Sequence, residues 1–433
     1  MSVEVGFWGI GALFALLFLR IPVALALIAV SFCGIVLLLG LKPALGILSN
    51  TPYSFVASWT MSAVPMFLLM GFVAYHAKLT EGLFEAAKAL LWRVPGALAV
   101  SSIFACSGFA AVCGSSLATA ASMGRIAIPE MIKAGYSPSI SAGAIAAGGT
   151  IGALIPPSIL MILYGVFSET SITKVFLGGI TVGLVTAASY VAVVWVIALL
   201  RPEMIPRGSL QGDHVSLAEA MRKVWPVVLL IVLVFGGLFS GYFTATEAGA
   251  IGAGGAILSA AALGTLSVDV MRRSLLETLQ TTASLLIIGI GAMMFTRFLG
   301  ITGLSSFIAS QVSAADMSYL QLMVIVVLVY LALGMVMEPF GAMLVTLPVF
   351  IPLMNAQDIS LVWFGVLVVK MLEIGMITPP VGLNVFVIRN VASNYVSTVM
   401  IFKGVLPFFV ADLAVTALII AAPALVLWLP NML

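Results

Sequence analysis

The sequence predicts an all-α polytopic membrane protein built as an inverted repeat, each half holding five crossings and one re-entrant helical hairpin. Three observations predict it. Of 433 residues, 62% are apolar and 8% charged, where a soluble domain carries about a quarter charged. Apolar runs long enough to span recur along the whole chain, at about 20 residues per crossing. The basic residues sort to one side of the membrane once two of those runs are read as hairpins.

The same figures exclude other classes. A formal charge of +2 is too small to drive nucleic-acid binding. Cys33, Cys106 and Cys113 all lie in apolar runs, and His76 and His214 are far apart, so neither a disulfide framework nor a zinc site is expected.

The first apolar run, about 4–19, carries Glu4 where a secretory signal carries Lys or Arg, and it leads directly into a second run; it is read as a retained first helix. Further runs fall at about 22–41, 61–78, 95–127, 137–167, 175–200, 224–241, 246–264, 281–297, 317–353, 359–389 and 402–429. Two differ from spans. Segment 95–127 is rich in small residues and broken at Cys113-Gly114-Ser115-Ser116, and 317–353 is broken at Gly334 and at Glu338-Pro339. Each reads as a hairpin that turns inside the membrane, which is tolerated only where protein or water satisfies the freed backbone. Ten crossings remain. With the N-terminus outside, 14 of the 18 Lys and Arg residues fall on the cytoplasmic side, Lys42, Lys174 and Arg297 fall outside, and Lys370 lies within a span. Counting either hairpin as a span destroys this bias, so both termini are expected on the periplasmic side and the polar linker 201–223 in the cytoplasm.

A shift of 223 residues superposes Pro129 on Pro352 and Pro156-Pro157 on Pro379-Pro380 without a gap, and sets Ser115 opposite Glu338. The halves are therefore 1–223 and 224–433. Five crossings per half is an odd number, so the second half must be inverted. Inverted repeats with interrupted helices are the architecture of secondary transporters, with sites near the midplane where the breaks meet.

The breaks are GGTIGALIPPS (148–158) and EIGMITPPVGLN (373–384). Tandem proline removes two donors and frees carbonyl oxygens one turn back. Free oxygens suit Na⁺, by extension from other hard cations. Each half-helix after a break points its positive end into the same region, which suits a carboxylate.

At these residues the chain resembles the large membrane subunit of tripartite ATP-independent periplasmic (TRAP) transporters. The likeness rests on the Gly-Ser-Ser hairpin tip, GTIGALIPPS, the Met-Glu-Pro at 337–339 and TPPVGLN, and covers essentially the whole chain. It implies a scaffold domain and a mobile, elevator-type transport domain holding both hairpins. It also implies coupling to Na⁺, a bacterial inner-membrane location, a separate small four-helix membrane subunit and a periplasmic substrate-binding protein that delivers an organic acid, such as a dicarboxylate or a sialic or sugar acid. By this resemblance a first sodium site involves Gly114, Ser115, Ser116, Gly149, Thr150 and Gly152. A second involves Glu338, Pro339, Gly341, Gly375, Met376 and Thr378, with substrate near Ser158, Thr378 and Asn384.

The isolated charges carry competing readings. Glu338 either caps the second hairpin arm or binds an ion directly. Lys370 and Glu373, three apart on one helix, read as an ion pair, and Glu247 and Asp412 as interhelical hydrogen-bond partners, with a proton relay as the alternative. Arg297 serves either as a docking site for the periplasmic partner or substrate, or as an interfacial anchor. Segments 81–94 and 267–280 read as amphipathic cytoplasmic arms, and SISAGAIAAGG (139–149) as a close-packing surface. Three other functions remain to be weighed: a sodium- or proton-coupled anion carrier without a binding protein, a channel, and a membrane-embedded enzyme. The last lacks any H-E-x-x-H or G-x-S-x-G motif.

Overall fold

The computed structural model describes residues 2–206 and 217–432; Arg207 and His214, with the middle of the 201–223 linker, lie outside the described residues. The described residues form helices and short turns, with no strand. This is the expected answer to a bilayer, where each backbone donor must bond within its own segment.

In chain order, α1 (Val3–Phe18) packs on α2 (Val23–Leu39), followed by α3 (Leu41–Val56), α4 (Ala63–His76) and the short amphipathic α5 (Gly82–Leu91). The expected hairpin at 95–127 is α6 (Ala97–Cys113) and α7 (Ser116–Lys133), packed on each other; its second arm runs six residues further than expected. The first interrupted helix is α8 (Pro138–Thr150) and α9 (Ile159–Phe167), joined through a tight turn at Ile151–Ala153 and the Pro156-Pro157 pair. Then come α10 (Ile172–Leu200), α11 (Leu217–Phe239), α12 (Ala245–Ala262), α13 (Val268–Thr302) and α14 (Leu304–Ala314). The second hairpin is α15 (Tyr319–Gly334) and α16 (Pro339–Ala356); the second interrupted helix is α17 (Leu361–Gly375) and α18 (Leu383–Val391); α19 (Thr398–Ala421) follows.

Helices α7 and α16 begin and end 223 residues apart, and α8 and α17 begin 223 apart. Among the described residues six helices are long and apolar enough to cross a membrane, and four shorter apolar helices accompany them.

Three expectations need correction. The arm at 267–280 and the span at 281–297 are one continuous 35-residue helix, α13, because no Gly-Pro break or cap separates them. Helices α3 and α14 lie outside the expected segments: their apolar residues are interleaved with Ser, Thr, Asn or Gln, which lowers hydropathy without breaking a helix. Glu247 is not an interhelical partner. It forms a capping box with Thr244 at the exposed start of α12, accepting from Thr244 N and Thr244 Oγ1 at 2.8 Å each.

Two apolar cores organise the chain. One gathers α2, α4, α12 and α13 with the second hairpin, α17 and α9; the other gathers the first hairpin, α8, α18 and α19. Each core thus takes the leading arm of one interrupted helix and the trailing arm of the other. The small-residue face of α8 allows this: α8 lies so close to α19 that a Cβ on Gly404 would stand 1.8 Å from the Ser139 carbonyl oxygen.

Candidate functional site

The first hairpin tip is pressed onto the first helix break. Gly114 adopts φ +60°, and a Cβ there would lie 2.1 Å from Pro157 O, so only glycine fits. Ser115 follows in extended conformation as the N-cap of α7, its hydroxyl accepting from Ala118 N at 3.4 Å. Gly152 faces the same tip: a Cβ on it would stand 2.9 Å from Ser116 Cα and 3.0 Å from Ser115 O. Gly149 lies 3.2 Å, measured the same way, from Ser116 O. The tip and the break are therefore in backbone contact, bringing carbonyl oxygens and hydroxyls together.

From the second helix break comes charge. Ser116 Oγ donates to Glu373 Oε2 at 2.6 Å, tying the tip to the last turn of α17. One turn earlier Lys370 Nζ donates to Asp412 Oδ1 and, at 3.0 Å, to Thr186 Oγ1. Tyr190 Oη donates to Asp412 Oδ2 at 2.7 Å and shares a 3.0 Å hydrogen bond with Thr150 Oγ1. Lys370, Glu373 and Asp412 are each no more than 1% exposed. The expected Lys370–Glu373 pair is thus not formed. Lys370 reaches across to α19 instead, and Asp412 holds the interhelical role read for it. Buried charges need such partners, since an unpaired one costs several kcal/mol.

The second tip carries its own carboxylate. Glu338 is the N-cap of α16 and accepts from Phe340 N at 3.3 Å and Gly341 N at 3.1 Å, the capping role.

Both tips open onto one cavity of about 510 Å³. The first contributes Ser115 and Ser116, the second Glu338 and Phe340, and the end of α17 adds Glu373 and Met376. The opposite wall is α4, through Tyr75, and α13, through Glu277 and Thr281. Glu277 Oε1 lies 3.1 Å from His76 Nε2. No Lys or Arg is among the residues that line it.

Of the residues expected at the first sodium site, Gly114, Ser115, Ser116, Gly149 and Gly152 meet at the tip–break contact, whereas the Thr150 hydroxyl is bonded to Ala147 O and Tyr190. Of those expected at the second, Glu338, Pro339 and Met376 share the cavity. Gly375 abuts Gly334 behind it, Gly341 faces Val23 of α2, and Thr378 Oγ1 donates to Ile374 O at 2.6 Å. Ser158 and Asn384 are fully buried, Ser158 as the N-cap of α9, and neither lines the cavity; nor does Thr378. Asn384 Nδ2 donates to Ala146 O at 3.3 Å, while its Oδ1 is buried without a partner. Arg297 is exposed and donates to Thr51 Oγ1 at 3.1 Å. Sequence reasoning missed Tyr190 and Thr186. The available signal was that Lys370 and Asp412, opposite charges stranded in different spans, need polar company.

The chain matches the family described as the tripartite ATP-independent periplasmic transporter, DctM component, over residues 10–425. It is 35% identical to the C4-dicarboxylate TRAP transporter large permease protein DctM of Pseudomonas aeruginosa, covering 91% of this chain and 93% of that one. It is 32% identical to the sialic acid TRAP transporter large permease protein SiaM of Vibrio cholerae, covering 98% of each. Among solved structures, the Alcanivorax borkumensis YdaH transporter shares the fold with a TM-score of 0.65 at 16% identity, over 88% of this chain and 89% of that one.

Proposed function

From the premise that the chain belongs to the tripartite ATP-independent periplasmic transporter family as its DctM component, a multi-pass membrane permease and not an enzyme, we propose that it imports an organic acid by sodium-coupled secondary transport. The relatives' named cargoes, C4-dicarboxylates and sialic acid, are both carboxylates. A cavity of about 510 Å³ accommodates either.

The observation that carries the sodium reading is the charge of that cavity. Its wall holds the carboxylates of Glu277, Glu338 and Glu373 and no Lys or Arg. An anion entering it must be accompanied by cations, and the crowded carbonyls and hydroxyls of Gly114, Ser115, Ser116, Gly149 and Gly152 are suitable hard ligands. ATP has no place in this scheme. The Na⁺ gradient drives uptake, with Glu338, Gly341, Gly375, Met376 and Thr378 assigned to a second ion and Ser158, Thr378 and Asn384 brought to substrate when the broken helices move.

The 223-residue spacing of matched elements supports the inverted repeat, with the N-terminus periplasmic. The position of the cavity, between α4 and α13 on one side and both tips on the other, supports an elevator in which the hairpin and broken-helix body slides against a scaffold that includes α4 and α13. A small membrane subunit and a periplasmic binding protein complete the system, the latter docking on the outer face near Arg297. The test is uptake into proteoliposomes with those partners. An inward Na⁺ gradient should concentrate a C4-dicarboxylate or sialic acid; ATP-dependent or Na⁺-indifferent uptake overturns the proposal.

A further inference from the structure

The buried charges around the second helix break do not balance. Asp412 and Glu373 are two carboxylates and Lys370 is the single ammonium, all at 0–1% exposure. Lys370 is committed: it donates to Asp412 and to Thr186, and Asp412 takes a further hydrogen bond from Tyr190. Glu373 is left with one neutral donor, Ser116 Oγ. A hydroxyl supplies a hydrogen bond but no charge, so an ionised Glu373 has no cation in contact with it, a cost that a bound cation would relieve.

A second observation lies beside it. Asn384 N donates to Met376 O at 3.0 Å, one turn beyond Glu373, and its side chain lies against the Gly149–Ser116 contact. Its Nδ2 is bound to the Ala146 carbonyl, which fixes the amide so that Oδ1 is the free end. That oxygen is fully buried and has no donor. An orphan acceptor, a serine with free lone pairs and a carboxylate without a cation in contact are the set of oxygen ligands that one small cation requires.

We infer that Glu373 is the charged ligand of a Na⁺ site shared with Ser116 and Asn384, bridging the first hairpin tip to the second helix break. The site rests on the sodium-coupled reading above and sharpens it by naming the side chain that supplies the negative charge. Lys370 acts by holding Asp412 and so leaving Glu373 free for the ion. Filling the site offsets one negative charge of the wall before an anionic substrate enters.

The test is a Na⁺ titration of the purified full-length protein against choline at constant ionic strength, read as the rise in unfolding temperature, alongside Na⁺-dependent uptake with the partner proteins. Glu373→Gln should raise the Na⁺ midpoint at least tenfold in both. Asp412→Asn should raise it several-fold, because Lys370 becomes available to Glu373. Should Glu373→Gln not accumulate, Glu373→Asp carries the test, with a midpoint at least threefold higher expected from the withdrawn carboxylate. A wild-type midpoint in Glu373→Gln, or in Glu373→Asp where that is the variant obtained, overturns the inference while leaving Na⁺-driven uptake by the wild type standing. Wild-type protein that responds to pH and not to Na⁺ overturns both.

Discussion

At the first hairpin tip Ser115 caps α7 with a neutral hydroxyl, and at the matching position 223 residues on Glu338 caps α16 with a carboxylate. The local task is the same, to occupy the orphan amides of a helix that starts at a hairpin tip. The difference is where the negative charge resides. The second tip carries it and spends it on its own backbone amides. The first tip carries none and meets it on the facing wall, where Ser116 reaches Glu373. A charge held by its own helix needs only that helix, whereas a charge held across a contact needs two elements in register. The first tip is therefore the one tied by a hydrogen bond to a carboxylate of the facing wall.

The comparison breaks most severely at the wall. Lys370→Met should destabilise the protein by about 3–5 kcal/mol, as it leaves Asp412 buried without its cation, measured as loss of unfolding temperature in detergent; an unchanged value would mean that the network is not charged. Next is the backbone at the tips. Gly114→Ala should cost about 1–3 kcal/mol through its clash with Pro157 O and abolish uptake. Met337→Ala, at the matching position of the second tip, should leave uptake within about twofold, since the residue is only half-buried. A smaller effect is expected at the second cap, where Glu338→Ala should cost about 0.5–2 kcal/mol and lower stability without moving the Na⁺ midpoint as far as Glu373→Gln. Smallest is Ser115→Ala, at about 0.5 kcal/mol given its long 3.4 Å cap; a larger loss would show that the Ser115 hydroxyl serves more than the helix.

Much of this site was legible beforehand. The Gly-Ser-Ser and Glu-Pro tips and the two Pro-Pro breaks are local features: a glycine or proline acts on its own backbone, so its effect can be read from a few neighbours. The capping role of Glu338 was legible for the same reason. The pairing of Lys370 was not. Three-residue spacing on a helix makes Glu373 a near neighbour, and only the packing of α17 against α10 and α19 offers Asp412 and Thr186 instead. Glu247 misled in the opposite direction, because an acid in an apolar stretch reads as buried unless the helix is seen to start three residues before it.

By itself the sequence determined the membrane class, the two breaks, the two hairpins and the 223-residue spacing, since hydropathy and backbone chemistry are set within about 20 residues at a time. Tertiary structure alone decided which charges meet. Ser116 and Glu373 are separated by 257 residues, Lys370 and Asp412 by 42. Their partners are chosen by helix packing, which no local pattern encodes, and that choice leaves Glu373 at the cavity wall with Ser116 rather than Lys370 as its partner.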